Sequence, residues 1–270
     1  MHNDRERMYE TALSSYRKGE FFKALPATAL ADLEPLLVPS NYPSNVVLFS
    51  ETQPNSGIYV VLEGEVKLSI NSADGRRLAF HIAKPGEVLG LSSTLSGGAY
   101  EMTADTLYPT KIAHITRQTF LQFLVRHNDV YPIVTREISN SFNLACDQLR
   151  MVGLSTSVHE RLARLLLVWS DGSEQKAGGT RCRLSMTHEE IGEFIGASRE
   201  TVTRTLSIFK NRHLVAQHGC TLTIPSRNAL ENYARGKTCD FETGENSDLD
   251  LPLSTQHEKG VPHPKRASCA

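Results

Sequence analysis

The sequence predicts an α+β fold made of an N-terminal antiparallel β-roll, a long helix and a C-terminal winged helix-turn-helix domain. Short β-branched runs come first, an apolar stripe at coiled-coil spacing follows, and two short capped helices with a hairpin come last. The expected parts are an N-terminal extension (1–19), the roll (20–116), the long helix (117–154), the winged domain (155–235) and a disordered tail (236–270).

The first 40 residues are predicted to form short helices. Leu25, Leu30 and Leu33 recur at helical spacing around Pro26 and Pro35, and each proline limits the length of a helix. We therefore expect short helical segments before the roll.

Residues 45–116 alternate apolar runs with turn residues. The runs that predict strands are VVLF (46–49), GIYVVLEGEVKLSI (57–70), RLAFHIA (77–83) and KIAHI (111–115). Between two of them, NSADGR (71–76) contains an Asp-Gly pair, which favours a hairpin because both residues tolerate positive φ. Short strands at this spacing predict a small antiparallel sandwich or roll.

The long helix carries a narrow apolar stripe with polar flanks. Its residues are spaced four, three, four and three positions apart, and they are Ile138, Phe142, Ala145, Leu149 and Val152. This is the period of a coiled-coil seam. We expect a dimer interface here, and the alternative is a helix packed on its own domain.

Capping residues mark the helices of the C-terminal domain. SVHE (157–160) and THEE (187–190) match the capping box, and GAS (196–198) ends one helix and caps the next, 198–210. LVAQHGCTLTI (214–224) predicts a hairpin. Two short helices joined by a glycine-containing turn and followed by a hairpin form a winged helix-turn-helix.

The helix at 198–210 divides into an apolar face and a polar face. Val202, Leu206 and Phe209 are predicted to pack inward. The residues predicted to contact bases lie on the other face, and they are Arg199, Glu200, Thr203 and Arg204. Arginine bonds guanine O6 and N7 together, and glutamate accepts from cytosine N4. The alternative is a solvated helix with an ion pair between Glu200 and Arg204.

The net charge of the chain does not exclude a nucleic-acid partner. It is −1 overall, but residues 155–235 carry eleven Lys and Arg and eight Asp and Glu, which gives +3. Phosphate contacts require a local positive patch rather than a basic chain. The local excess is compatible with binding of double-stranded DNA.

The segment MTHEEIGEFIGASRETVTRTLSIFKNRHLV (186–215) resembles the helix-turn-helix of the CRP/FNR family of bacterial transcription regulators. The segments GEVKLSI (64–70) and PGEVLGL (85–91) extend the resemblance to the roll. It implies a homodimer with a cyclic-nucleotide-binding-like roll, a dimerisation helix and RNA polymerase as a partner. It also implies base contacts by Arg199, Glu200 and Arg204.

The resemblance further implies phosphate contacts, made by Thr187, Ser198 and Thr201. The string RETVTR (199–204) is more similar to the helix of the cyclic-AMP receptor than to that of the oxygen sensor. We therefore expect a palindromic site with TGTGA-like half-sites, whose centres lie about one helical turn apart.

The resemblance implies an effector pocket in the turn after the roll strands. Its candidate residues are Gly86, Glu87, Gly90, Leu91 and Ser92. Cyclic-AMP binders of the family have a ribose-binding glutamate where Leu91 stands, and an Arg-Ser pair for the phosphate. No arginine occurs between residues 78 and 116, and a buried phosphate requires charge-assisted bonds. Cyclic AMP is therefore disfavoured, and the effector stays unidentified.

No resident cofactor, metal or catalytic group is expected. The five cysteines are widely spaced and include no CxxC, and the first is Cys146, which neighbours the seam. The family's iron–sulfur sensors need clustered N-terminal cysteines, and its haem sensor needs ligands in a turn that offers neither Cys nor His here. A metal enzyme built on the roll would need clustered histidines. We expect no enzyme activity.

The sequence leaves the role of the roll open. It could sense an unidentified nucleotide or small molecule, or it could serve only dimerisation while DNA binding is independent of any ligand. Cyclic-AMP control is the less favoured alternative. No apolar run approaches the ~18 residues that span a bilayer, and the N-terminus has no signal-peptide core. We predict a cytoplasmic protein with no membrane partner.

Overall fold

The computed structural model describes residues 16–155, 157–171, 175–176, 178–184 and 186–235. Most of the predicted N-terminal extension and the predicted tail at 236–270 lie outside these residues. The described residues belong to one compact unit.

Two short helices precede the roll, α1 (Glu20–Ala24) and α2 (Ala27–Leu33), and a 3₁₀ turn follows at Glu34–Leu36. Tyr16 already belongs to the packed core, because it is 1% exposed and its ring meets Phe22 edge to face at 4.6 Å. The predicted boundary at residue 19 is therefore too late. Tyr16 belongs to the roll because its aromatic ring is buried there, which helix periodicity does not indicate.

The roll consists of two four-stranded antiparallel sheets. Its strands are β1 (Pro39–Tyr42), β2 (Val47–Phe49), β3 (Gly57–Glu63), β4 (Val66–Asn71), β5 (Arg77–Ala83), β6 (Val88–Leu89), β7 (Thr103–Thr106) and β8 (Thr110–Thr116). One sheet has the order β1-β8-β3-β6 and the other β2-β7-β4-β5, and helix α3 (Leu91–Ser96) follows β6. The predicted strands are confirmed, but β1, β6 and β7 were not predicted.

The β4–β5 hairpin is confirmed, with a turn that differs from the expected one. Ser72 N–H donates to the Arg76 carbonyl at 2.9 Å, and Gly75 N–H donates to the Ser72 carbonyl at 2.9 Å. Gly75 has φ 82, whereas Asp74 is not among the described residues with positive φ. This is the pattern of a three-residue loop that ends in a left-handed glycine.

The continuous helix predicted over 117–154 is wrong. The structure has α4 (Arg117–Arg126), a 3₁₀ turn (Asn128–Val130) and α5 (Tyr131–Leu154). Pro132 lies in the first turn of α5, where a missing N–H costs nothing, whereas inside a continuous helix its ring would clash with the preceding turn. The chain therefore breaks at His127.

The described residues of the C-terminal domain form four helices and a four-stranded sheet of order β11-β12-β10-β9. The helices are α6 (Val158–Ser170), α7 (His188–Ile195), α8 (Arg199–Asn211) and α9 (Arg227–Ala234). The strands are β9 (Gln175–Lys176), β10 (Gly179–Arg183), β11 (Ala216–His218) and β12 (Thr221–Ile224). The predicted hairpin is confirmed as β11 and β12, and the expected loop at 171–179 contains β9.

The C-terminal domain packs against the outer face of the β2-β7-β4-β5 sheet. Ala79 and Ile82 of β5 belong to the same hydrophobic cluster as the helix-turn-helix core. The Gln148 amide, 6% exposed, donates to the carbonyls of Ala79 at 2.8 Å and Phe194 at 2.7 Å. One side chain of α5 thus joins the roll to α7.

A buried ion pair spans the same junction. Lys67 Nζ of β4 lies 2.5 Å from Glu193 Oε2 of α7, and their side chains are 7% and 17% exposed. Burial removes both charged groups from water, and the attraction between them offsets the free-energy cost of that desolvation. The pair therefore ties α7 to one position on the sheet.

Candidate nucleic-acid interface

Helix α7 begins with the predicted capping box, and both of its halves are present. Glu190 N–H donates to Thr187 Oγ1 at 3.2 Å, and Thr187 N–H donates to Glu190 Oε2 at 2.7 Å. The helix ends at Gly196, whose φ of 60° is a left-handed conformation that glycine adopts at low cost. These two ends define the turn that leads into α8.

Helix α8 begins at Ser198, whose Oγ accepts from Thr201 N–H at 3.3 Å. Val202, Leu206 and Phe209 are at most 1% exposed, as the sequence predicts. Because this face is anchored in the core, the opposite face of α8 is fixed toward solvent. The local pattern of the sequence is sufficient to specify this orientation.

The four candidate base contacts lie together on the exposed side of α8, and they are Arg199, Glu200, Thr203 and Arg204. The pKa of Glu200 is lowered by its own backbone N–H and by the Ser198 hydroxyl, with further contributions from Arg199 and Arg204. Glu200 is therefore held as an anion, which suits an acceptor for a base amino group. These residues remain predictions as DNA contacts.

The candidate phosphate contacts lie at the N-terminal ends of α7 and α8. Thr187 is the N-cap of α7, Ser198 is the N-cap of α8, and Thr201 Oγ1 lies 3.1 Å from Ser198 Oγ. Helix N-termini attract anions through free N–H groups and the helix dipole. The Thr187 hydroxyl donates to Glu190 Oε2 at 3.0 Å, so its proton is already engaged within the protein.

His188 belongs to this surface although the sequence did not single it out. Its Nδ1 lies 2.7 Å from Thr203 Oγ1, which joins α7 to the exposed face of α8. Burial lowers the pKa of His188, and the neighbouring charges of Lys210 and Arg199 lower it further. No local pattern could have found this contact, because the two residues lie 15 positions apart in different helices.

A cleft of about 1110 Å³ separates the β4–β5 hairpin from the turn between α7 and α8. Arg76 and Arg77 line one wall, and Ser198, Arg199 and Glu200 line the other. The cleft leaves the N-terminal end of α8 accessible next to two additional arginines. The lining also includes Asp74, Glu189 and Glu193, and Arg76 pairs with Asp74, so the cleft itself has no excess of positive charge.

Four of the five candidate effector residues have structural roles in the roll, and the fifth, Ser92, is exposed. Gly86, with φ 94, packs so closely that a Cβ would lie 2.5 Å from the Tyr16 carbonyl. Glu87 Oε2 lies 2.6 Å from His81 Nε2, Gly90 is the left-handed N-cap of α3, and Leu91 is 5% exposed within the core. Neither these four nor Ser92 lines the cleft.

The predicted dimer seam is partly covered within the chain. Ile138, Ala145 and Val152 are half-buried, and Ile138 packs against the core of the roll. Phe142 and Leu149 are 67% and 64% exposed. These two lie seven positions apart on one side of α5, so an uncovered apolar stripe remains along the helix.

Among the residues that the structure describes, no group of three His, Cys, Asp or Glu side chains could hold a metal ion. Cys146 is half-buried, and Cys182 is buried, which raises the pKa of its thiol. Within the described ranges, no helix combines the length and apolar character needed to cross a membrane.

Two family models match the chain. The cyclic nucleotide-binding domain matches residues 39–127, and the Crp-like helix-turn-helix domain matches residues 160–233. The matched ranges coincide with the roll and the C-terminal domain, and α5 lies between them.

Curated relatives are transcription regulators. The chain is 32% identical over 182 residues to the transcriptional activatory protein AadR of Rhodopseudomonas palustris, covering 64% of this chain and 72% of the relative. It is 26% identical to the CRP-like cAMP-activated global transcriptional regulator of Mycobacterium tuberculosis, over 79% of this chain and 96% of that protein.

A solved structure shares the fold. FixK2 of Bradyrhizobium japonicum superposes with a TM-score of 0.64 and 24% identity, over 73% of this chain and 96% of that one. The chain belongs to the CRP/FNR family of DNA-binding transcription regulators.

Proposed function

We propose that this regulator binds a palindromic DNA site as a homodimer and recognises TGTGA-like half-sites through α8. The observation that carries the proposal is the exposed face formed by Arg199, Glu200, Thr203 and Arg204, opposite a fully buried apolar face. In a helix-turn-helix the N-terminal part of the second helix lies in the major groove. The arginines would bond guanines, and Glu200 would accept from a cytosine amino group.

Phosphate contacts from the ends of α7 and α8 would fix the register of the protein on the duplex. Thr187, Ser198 and Thr201 lie where the helix dipoles favour an anion, and a contact from Thr187 would require its hydroxyl to turn away from Glu190 Oε2. Such contacts add affinity without distinguishing sequences. Their loss should weaken specific and random duplexes alike.

Dimerisation is supported by the uncovered stripe on α5. Phe142 and Leu149 expose apolar surface that one chain alone leaves in water. A two-fold axis along this helix would pair the stripe with itself and place two α8 helices on one duplex. The proposal therefore explains both the exposed seam and the expected palindrome.

Selection of preferred duplexes from a random pool tests the recognised site. Arg204→Ala should then weaken binding of the selected site about tenfold or more, and should relax base preference at one position. Arg126→Ala, which changes an exposed arginine of α4, is the matched control. If Arg204→Ala weakens selected and random duplexes equally, base recognition by Arg204 is wrong.

Leu149→Glu tests the dimer by placing a charge in the seam. The variant should be a monomer by light scattering and should lose palindrome binding. Val125→Glu, on α4 and 69% exposed, changes a side chain of similar exposure outside the stripe and should stay dimeric. A dimeric Leu149→Glu protein would exclude this interface.

We infer that the effector is not cyclic AMP, although the Mycobacterium tuberculosis relative is cAMP-activated. The sequence has no arginine between 78 and 116, and Leu91, at the ribose position, is buried in the core. Millimolar cyclic AMP should leave the melting temperature unchanged, because a ligand that favours the native state must raise it. A clear rise would establish cyclic-AMP control.

The roll would then respond to another nucleotide or small molecule, or would serve dimerisation alone. Repeating the duplex selection with and without a metabolite extract distinguishes the two. RNA polymerase is the expected protein partner, and the cytoplasm is the expected location. The curated relatives quoted above are regulators rather than enzymes, and we propose no catalytic role or resident cofactor here.

A further inference from the structure

The Thr203 hydroxyl has its proton and one of its lone pairs engaged within the protein. It donates to the Arg199 carbonyl at 2.9 Å, and its oxygen lies 2.7 Å from His188 Nδ1. A hydroxyl has one proton, and a carbonyl accepts but does not donate. The second contact therefore requires His188 Nδ1–H as the donor.

The surroundings of His188 favour this arrangement. His188 is the first residue of α7, and the helix positions its ring over α8. Partial burial, followed by the neighbouring charges of Lys210 and Arg199, lowers the pKa of His188 and favours the neutral ring, whose Nδ1–H form has its lone pair on Nε2. His188 thus occupies one lone pair of the Thr203 oxygen, while the hydroxyl proton stays on the Arg199 carbonyl and is not offered to a base.

Because its proton is engaged, the Thr203 hydroxyl offers a base no donor, and the group of Thr203 suited to an apolar contact is its γ-methyl. Thr203 is exposed and lies between two candidate base contacts, four positions after Arg199 and one before Arg204. Within the major groove, the group that matches a threonine methyl is the 5-methyl of thymine. A hydroxyl free to donate would instead recognise acceptors on several bases.

We propose that Thr203 recognises a thymine in each half-site through methyl–methyl contact, and that His188 is the positioning residue that occupies the Thr203 hydroxyl. The proposal rests on the proposed function, because it requires α8 in the major groove. It goes further by assigning one chemical group on one base to one side chain. It also assigns a positioning role to a residue of α7.

Deoxyuridine substitution tests the contact, because it removes the thymine methyl and changes nothing else. In the selected palindrome, each thymine is replaced in turn, symmetrically in both half-sites. One replacement should weaken binding about fourfold per half-site, the usual effect of withdrawing a buried methyl from contact. The dimer should therefore lose about fifteenfold when both half-sites change.

Two variants of Thr203 locate the effect. The ratio of the affinity for the thymine site to the affinity for the deoxyuridine site measures the methyl contact. Thr203→Ser keeps the hydroxyl bonds and removes the methyl, so this thymine-to-deoxyuridine ratio should fall to about one. Thr203→Val keeps a methyl and removes the hydroxyl, so the ratio should persist. A valine variant that loses the ratio would show that a methyl group at position 203 is not sufficient for the contact, and would overturn the proposal.

Two variants of His188 test its positioning role. His188→Ala frees the Thr203 hydroxyl and should reduce the ratio. His188→Asn presents an amide N–H at the place of Nδ1 and should restore it. An unchanged ratio in His188→Ala would refute the role of His188.

The outcomes separate this inference from the proposed function. If no preferred duplex emerges, or if Arg204→Ala does not change base preference, the placement of α8 in the groove fails. If the protein selects a site through Arg204 but tolerates deoxyuridine at every position, only the role of Thr203 fails. A serine variant that keeps the full ratio would have the same meaning.

Discussion

Gln148→Leu should uncouple the roll from the C-terminal domain and destabilise the whole chain. The Gln148 amide donates to Ala79 in β5 and to Phe194 in α7, at 2.8 and 2.7 Å. Leucine fills nearly the same volume and donates to neither. The substitution therefore isolates the two hydrogen bonds from the packing of the side chain.

The expected loss of stability follows from the two carbonyl groups that no longer receive a hydrogen bond. Phe194 lies in the last turn of α7, where carbonyls have no partner within the helix. A buried acceptor without a partner costs roughly 1–3 kcal/mol, so two should cost about 2–4 kcal/mol after the gain in apolar contact. For a chain of this size that corresponds to a fall of about 5–10 °C in melting temperature.

Thermal unfolding followed by circular dichroism, at one protein concentration, measures the loss. Arg150→Ala is the matched control on the same helix, because it removes an exposed ion pair whose side chains are 65% and 71% exposed. Arg150→Ala should change the free energy of unfolding by no more than about 0.5 kcal/mol. If Gln148→Leu is as stable as the control, the two bonds do not couple the domains.

Three further changes probe other contacts. Glu193→Leu leaves the Lys67 ammonium buried without its partner and should cost about 3 kcal/mol, whereas the double variant with Lys67→Met should lose far less; additive losses in urea unfolding would contradict this. Burial raises the pKa of Glu137 above its unfolded value, so its ionised form costs stability as the pH rises. Glu137→Gln should accordingly raise the melting temperature at pH 8 and not at pH 4, and an equal gain at both would refute it. Gly196→Ala should cost about 1–2 kcal/mol because φ is 60°, and Gly196→Asn should cost less, as urea titration can measure; equal costs would exclude backbone strain as the cause.

The recognition helix could be predicted because its signals are local. The Ser198 cap, the Gly196 turn and the apolar spacing of Val202, Leu206 and Phe209 all lie within one short segment. Each of these features acts on the backbone or on the nearest turn of helix. The orientation of the exposed face follows from them directly.

Two strands of the roll could not be predicted in the same way. Strand β1 has the sequence PSNY and β7 has TADT, and neither contains a large apolar run. They are strands because β8 and β4 offer them hydrogen-bonding partners. Pairing with a neighbour overrides a weak intrinsic preference.

The contacts that organise the site are also absent from any local pattern. Lys67 and Glu193 lie 126 positions apart, and Gln148 lies 69 positions from Ala79. Such partners become neighbours only when the C-terminal domain packs on the roll. Sequence spacing therefore locates the recognition helix but not the groups that position it.

The shared hydrophobic cluster limits how this regulator can be rebuilt. Ala79 and Ile82 of the roll pack within the core of the C-terminal domain, so a cut near residue 155 divides one core between two fragments. A hybrid regulator that takes residues 155–235 alone would expose apolar surface on both sides of the graft. Transplanting a new DNA specificity should instead keep this domain and exchange only the outward side chains of α8, or carry the matching β5 residues along with the graft.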